Sequence, residues 1–215
     1  MSSQEKKNFY ITVAGVLGSG KTTVSKMIAS KFNFHLFEEN VSENKFLPLF
    51  YKDPSRWSFH SQLFYLRDKI AQMTTVKDLL VGNSVVQDSP IYQDYLTYAK
   101  AQHTLGHMSD DEFALYEKIF HTFHSNLPKP DLIIQLNASL PTLKKRILKR
   151  GRDYEQSIDE SYISLLSDLQ QKWVKEKTDT HTIIVNTDVV DLASDPEHQK
   201  ELIKQIREKL NISQN

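Results

Sequence analysis

Residues 15 to 22 read Gly15-Val16-Leu17-Gly18-Ser19-Gly20-Lys21-Thr22, the spacing G-x-x-x-x-G-K-T. Glycines at such intervals let the backbone curl until successive N–H groups converge on phosphate oxygens, and a helix starting there adds the positive end of its dipole. Lys21 is then placed to reach the outer phosphates of a nucleoside triphosphate such as ATP, and the Thr22 hydroxyl to ligate magnesium. Three of the chain's six glycines fall within these eight residues, which favours a cradle over a chance turn. The pattern has this meaning only between a strand and a helix, and both are predicted. Phe9 to Ala14 is an apolar, β-branched run, and Val24, Met27, Ile28 and Lys31 recur at helical spacing between Thr22 and Phe32.

Two further clusters suit phosphoryl chemistry. Lys144-Lys145-Arg146-Ile147-Leu148-Lys149-Arg150-Gly151-Arg152 holds six cations in nine residues, with Arg146 and Arg150 on one helix face. Guanidinium forks grip phosphate oxygens bidentately and stabilise charge in transit. Glu38 and Glu39 stand at the carboxyl end of the second predicted strand, just after residues 35–37. Strand alternation sends their carboxylates to opposite faces, so only one enters a cleft at the carboxyl ends of the strands. A carboxylate there orients a hydroxyl nucleophile and takes its proton.

These groups need a scaffold. Short apolar runs at 35–37, 84–86, 132–136 and 182–185 predict strands buried on both faces. Helices are expected between them, over 54–76, 92–102, 110–123, 140–149, 159–175 and 196–210. Caps are expected at Ser109, three residues before Glu112, and at Ser139 before Pro141. The alternation predicts an α/β fold, a doubly wound central parallel sheet with helices on both faces, in one domain spanning 1–215. Phe59, Phe64 and Tyr65 read as core at helical spacing. Only residues 1–7 and 213–215 are expected to be flexible.

Composition narrows the function classes. The 27 basic residues cancel the 27 acidic ones, which removes the general field that nucleic-acid or membrane-surface binding requires. The polar start of the chain predicts neither a signal peptide nor a spanning helix. With no cysteine, disulfides, thiolate metal sites and cysteine nucleophiles are excluded, and a cytoplasmic location is expected.

Phe37-Glu38-Glu39-Asn40-Val41, the run from Asn44 to Tyr51 and the run from Arg56 to Gln62 together resemble the deoxynucleoside kinase family, most of all the bacterial deoxyadenosine and deoxyguanosine kinases. The likeness runs from the phosphate cradle through Gln156 and, more weakly, to the C-terminal helix. It implies a P-loop kinase fold and transfer of the γ-phosphoryl group of MgATP to the 5′-hydroxyl of a deoxynucleoside, preferably a purine. Glu39 matches the family's base for that hydroxyl. Tyr51 and Glu155 match its partners for the 3′-hydroxyl, Gln62 and Asp94 its base-recognising residues, and Tyr98 joins the substrate-binding set. Asp88 matches the magnesium-side carboxylate. Lys21, Arg146, Arg150 and Arg152 would be the catalytic cations, the arginines lying on a lid at about 146–156 that Gly151 allows to bend. Asp188 follows the last predicted strand, where relatives wrap the adenine of ATP. A homodimer built on long helices such as 54–76 is also implied.

The chain departs from the pattern at Asp88-Ser89-Pro90-Ile91-Tyr92-Gln93-Asp94, where the family usually has Asp-Arg-Ser-x-Tyr-x-Asp. Ser89 stands where the arginine supports substrate and catalytic glutamate, and no neighbour in sequence supplies a cation. Loss of that charge predicts weakened or altered transfer or, at the extreme, a nucleotide-binding partner subunit without turnover. A nucleoside monophosphate kinase shares cradle and lid but needs extra cations near Glu39, and none is evident there.

Overall fold

The computed structural model describes residues 8–212 apart from 157 and 178, so the ends expected to be flexible lie outside the described residues. Five strands form one sheet in the order β2-β3-β1-β4-β5, every pair parallel. They are β1 (Tyr10–Ala14), β2 (His35–Phe37), β3 (Val85–Asp88), β4 (Leu132–Asn137) and β5 (His181–Asn186). Parallel neighbours require crossovers. The chain supplies α1 (Lys21–Phe32), α2 (Leu47–Lys52), α3 (Pro54–Leu79), α4 (Ile91–Gln93), α5 (Lys100–Thr104), α6 (Asp110–His124), α7 (Leu140–Arg150), α8 (Glu160–Glu176) and α9 (Pro196–Leu210). No helix among the described residues is long and apolar enough to cross a membrane.

Alternation along β1 divides the core. Ile11 and Val13 pack with Val24 and Ile28 of α1 and with Leu202 and Ile206 of α9. Tyr10 faces the other layer, among Leu66, Met73 and Val76 of α3 and Phe113, Tyr116 and Phe120 of α6. Each such buried side chain contributes about 1.5–3 kcal/mol relative to exposure. A smaller cluster above the carboxyl edge joins Val16 and Leu17 of the cradle to Leu143 and Ile147 of α7 and Ile163 and Leu166 of α8. It anchors the loop that must hold phosphate.

The expectation that all strands are buried on both faces holds for β1, β3 and β4 but not for the edges. His35 in β2 and Ile184 in β5 are exposed, because an edge strand has a neighbour on one side only. The helix expected over 92–102 is also not uniform. Residues Asp94–Ala99 form a π-helical segment between α4 and α5, and an extra residue in one turn is invisible to a 3.6-residue pattern. The short helix α2 and the 3₁₀ turns at Val41–Glu43 and Asp153–Glu155 are further additions.

Ser109 caps α6 as expected. Its Oγ accepts from the Glu112 N–H at 3.3 Å, and Glu112 Oε2 accepts from the Ser109 N–H at 2.9 Å. Ser139 occupies the cap position of α7 but makes no side-chain bond to a helix N–H; its hydroxyl meets Thr142 and Asp188 instead. Replacing Ser109 with alanine should cost about 1 kcal/mol and lower the melting temperature by roughly 2–4 °C, measured by calorimetry. An unchanged melting temperature would show that the cap does not limit stability.

Candidate active site

The cradle leaves the carboxyl end of β1 and enters α1 without a break. Gly18 adopts φ 79°, and a Cβ there would lie 2.9 Å from the Leu143 carbonyl oxygen, so only glycine permits this approach of loop to α7. The Ser19 N–H donates to Val16 O at 3.1 Å, curling the loop, and Lys21 Nζ rests 3.4 Å from the same oxygen. Thr22 Oγ1 donates to Asp88 Oδ2 at 2.6 Å. Asp88 Oδ1 is buried without a hydrogen-bond partner among the described residues. Two hard oxygens side by side at the phosphate end fit magnesium, which prefers one or two carboxylates, substrate phosphates and water.

Beside the cradle lies a cavity lined by Lys21, Glu39, Tyr51, Gln62, Asp94, Tyr98 and Glu155. Glu39 reaches it from the loop that follows β2, which ends at Phe37. Its neighbour Glu38 pairs with Lys26 at 2.8 Å on the exposed side; the two carboxylates diverge as expected, but both lie past the end of β2 at Phe37, so the loop and not strand alternation separates them. Gln62, on the inner face of α3, leaves Oε1 unpartnered among the described residues, and Asp94 leaves Oδ2 likewise. Two open acceptors in a closed wall suit the hydrogens of a base edge. Burial pushes the Asp94 carboxyl up to about 7; Lys69 and Lys21 pull it back, while Glu39 and Asp68 push it further. The Tyr51 ring stacks on Tyr154 of the lid at 5.4 Å, and burial raises its phenol well above the ordinary value.

A second cavity runs over the cradle, lined by Gly18 to Val24, Arg146, Arg150, Arg152, Thr187 and the residues from Val190 to Ala193. Lys21, Arg150 and Arg152 line both cavities, so the boundary between them is cationic. In this state the lid arginines are held by Glu155, which is 3% exposed. Arg150 donates to its Oε2 through Nε at 3.0 Å and Nη2 at 2.6 Å, and Arg152 to its Oε1 at 3.2 Å. Gly151 ends α7 at φ 72°, turning the chain toward Arg152. Arg146 points elsewhere on the lid, donating to Thr187 O at 2.7 Å, Thr187 Oγ1 at 2.8 Å and Ser19 O at 3.4 Å. It ties the cradle to the loop after β5.

Most residues expected from sequence lie along these two cavities; Gly15 and Val16 sit behind them, Gly15 held by Gln93 and Val16 packed in the cluster with α7 and α8, and Asp188 lines neither. That carboxylate turns away from the second cavity and accepts from the Ser139 N–H and hydroxyl at 3.0–3.1 Å. Hydrogen bonds, led by that of Thr142, hold it below the usual carboxyl range. The end of α7 claims it, and Asp191 lines the cavity instead. Tyr65, expected in the core with Phe59 and Phe64, is a second correction: it lines the first cavity, whereas Phe59 packs against the core. The signal was available, since Tyr65 follows Gln62 by three residues and shares its helix face. Phe50 and Tyr162 of that wall carried no local signal, because α2 and α8 meet there only in the folded chain.

Comparison with known proteins identifies the family and the fold. The family model described as deoxynucleoside kinase matches residues 11–211. A deoxyguanosine kinase of Bacillus subtilis is 38% identical over 164 residues, 75% of this chain and 76% of that protein. A deoxyadenosine/deoxycytidine kinase of the same organism is 30% identical over 210 residues, 97% of this chain and 96% of the relative. The solved structure of a deoxyadenosine kinase from M. mycoides, with dCMP and dCDP bound, superposes with a TM-score of 0.79 at 28% identity, covering 94% of this chain and 98% of that one. With a match over nearly its whole described length, the chain belongs to the deoxynucleoside kinase family.

Proposed function

We propose that this protein transfers the γ-phosphoryl group of ATP to the 5′-hydroxyl of a deoxynucleoside, a purine one by preference. The observation that carries the reading is the shared boundary: Lys21, Arg150 and Arg152 border both the cradle cavity and the cavity that holds Glu39. A phosphoryl group crossing from one to the other stays among cations throughout, which is the main requirement of such a transfer. The purine preference rests on the relatives named for purine deoxynucleosides.

Glu39 orients the 5′-hydroxyl and accepts its proton as the oxygen–phosphorus bond forms. The bond from the γ-phosphorus to the bridging oxygen breaks, and its electron pair stays on the departing diphosphate. Lys21 and the cradle amides hold that diphosphate. Arg150 and Arg152 exchange Glu155 for phosphate oxygens as the lid closes, which frees Glu155 for the 3′-hydroxyl beside Tyr51. Gln62 and Asp94 meet the base edge, and Tyr98 closes the wall. Thr22 and Asp88 would hold magnesium, which neutralises phosphate charge when bound. A homodimer formed through α3 and a cytoplasmic location complete the reading.

Labelled ATP with magnesium and a panel of deoxynucleosides, ribonucleosides and deoxynucleotides should yield labelled deoxynucleoside monophosphates, fastest for purines. Glu39→Gln should lower kcat on the order of 100-fold or more with MgATP binding unchanged. A fully active variant removes Glu39 as the base, and tight MgATP binding without any transfer would favour the partner-subunit alternative.

Asp94 generates a second test. Its carboxyl titrates near 7 when folded and near 4 when unfolded. The folded state therefore binds its proton more tightly, and the stability it contributes is full below about pH 4 and lost as pH rises through about 7. Without nucleoside, the wild-type melting temperature should carry this fall between about pH 4 and 7, and Asp94→Asn should flatten it. An equal slope in the variant would assign the fall to other groups.

A further inference from the structure

Two buried polar side chains of the sheet take no part in the chemistry above. Tyr10 of β1 is 1% exposed and Gln87 of β3 is fully buried, and polar groups in an apolar layer are costly unless hydrogen-bonded. The Tyr10 hydroxyl donates to Gln87 Oε1. Gln87 Nε2 donates to Gln72 Oε1 of α3 at 3.1 Å. Gln72 Nε2 in turn donates to the Glu38 carbonyl oxygen at 3.1 Å and to Asp68 Oδ2 at 3.0 Å. Two strands and a helix are thus joined to the backbone beside Glu39.

The ends of this relay fix its direction. A backbone carbonyl and an ionised carboxylate accept and cannot donate, so the Gln72 amide turns its NH₂ toward them and its oxygen toward Gln87. Gln87 is then oriented in the same sense, and its oxygen is left for the Tyr10 hydroxyl. Every donor points toward the loop, an arrangement in which each bond polarises the next.

Peptide planarity carries the constraint one residue further. The Glu38 C=O and the Glu39 N–H belong to one rigid plane, so the Gln72 bond sets the direction in which the chain enters residue 39. Beyond it, Glu39 O accepts from the Val41 N–H at 3.0 Å. The ion pair of Glu38 with Lys26 joins side chains 48% and 55% exposed, and such a pair holds a loop only weakly in water. Gln72 is half-buried and is backed by Gln87 and Tyr10.

We propose that Gln72 is a positioning residue for the transfer, holding the peptide before Glu39 so that the Glu39 carboxylate meets the attacking hydroxyl in the acceptor cavity. The inference rests on the kinase reading above and deepens it. Gln72 does not line that cavity and acts through the loop, while Gln87 and Tyr10 keep its amide from turning over.

The test measures kcat and MgATP affinity for wild type, Gln72→Met, Gln72→Lys, Gln72→Glu, Glu39→Gln and the double variant Gln72→Met with Glu39→Gln. Methionine keeps the length of the side chain and removes its bonds; kcat should fall on the order of 10-fold, with MgATP affinity within about twofold of wild type. Lysine keeps the donor toward the Glu38 carbonyl and Asp68 and should recover most of that loss. Glutamate keeps only the acceptor toward Gln87, sets an oxygen against two others, and should recover none. Added to Glu39→Gln, the methionine substitution should cost less than about twofold more, because the group it positions is already gone. A Gln72→Met enzyme with unchanged kcat overturns the proposal, as does a further loss of roughly 10-fold on top of Glu39→Gln, which would mark a general structural role. Should the methionine variant fail to fold, the lysine and glutamate variants decide, and equal activity in the two overturns the proposal. Glu39→Gln with wild-type activity removes the base reading and this inference with it, whereas an impaired Glu39→Gln beside an unaffected Gln72→Met overturns this inference only.

Discussion

Parallel pairing of β1 with β3 is the constraint from which the site follows. The register sets Val13 opposite Asp88, so the loop leaving β1 and the turn leaving β3 emerge side by side. Thr22 Oγ1 can then reach Asp88 Oδ2, and Gln93 can reach back to the Gly15 N–H. Because every strand points the same way, the carboxyl ends of β2 and β5 open onto the same edge. They deliver Glu39 on one side and the Thr187 loop on the other. Cleft formation at that edge is a general consequence of open parallel sheets. Here the edge is completed by α7, which brings its arginines over the cradle through the contact at Gly18.

Charge is arranged so that no strong ion stands alone where water is excluded. Glu155 is almost fully buried and is met by two guanidinium groups. Lys69 is buried, donates to the Asp88 carbonyl oxygen and interacts with the Asp94 carboxylate. Asp94 is buried with one oxygen unmatched, and its proton affinity rises accordingly. Among the buried side chains with an unpartnered atom, Gln62 and Asp94 line the first cavity, and Asp88 lies against Thr22, which lines the second. An unmatched buried polar atom is costly, and its place at a cavity wall is where a ligand would relieve that cost.

The core and the site share elements but divide their faces. On α3, Leu66, Met73 and Val76 pack into the sheet layer, while Gln62 and Tyr65 turn to the cavity. On the π-helical segment, Asp94 and Tyr98 line the cavity, and Thr97 is held from behind by Gln170 and Trp173 at 2.9 Å each. A π turn widens the helix by one residue, and these buried clamps fix which side chains it presents.

What the sequence determined by itself was whatever depends on neighbours along the chain. The cradle was legible because its glycines, Lys21 and Thr22 act through backbone curvature and a helix start. The five strands and the longer helices were legible through apolar periodicity, whereas Glu38 and Glu39 diverge in the loop after β2, where strand alternation does not apply. Tertiary structure alone decided the rest, because it depends on groups distant in the chain meeting in space. It turned Asp188 to Ser139, placed Asp191 at the cavity, exposed the edge strands, and set Tyr65 against ligand space instead of core. It also brought Lys69 to the carbonyl of Asp88, nineteen residues away along the chain. A local pattern records what a residue does to its own helix or strand; the charge it lends to another element depends on packing.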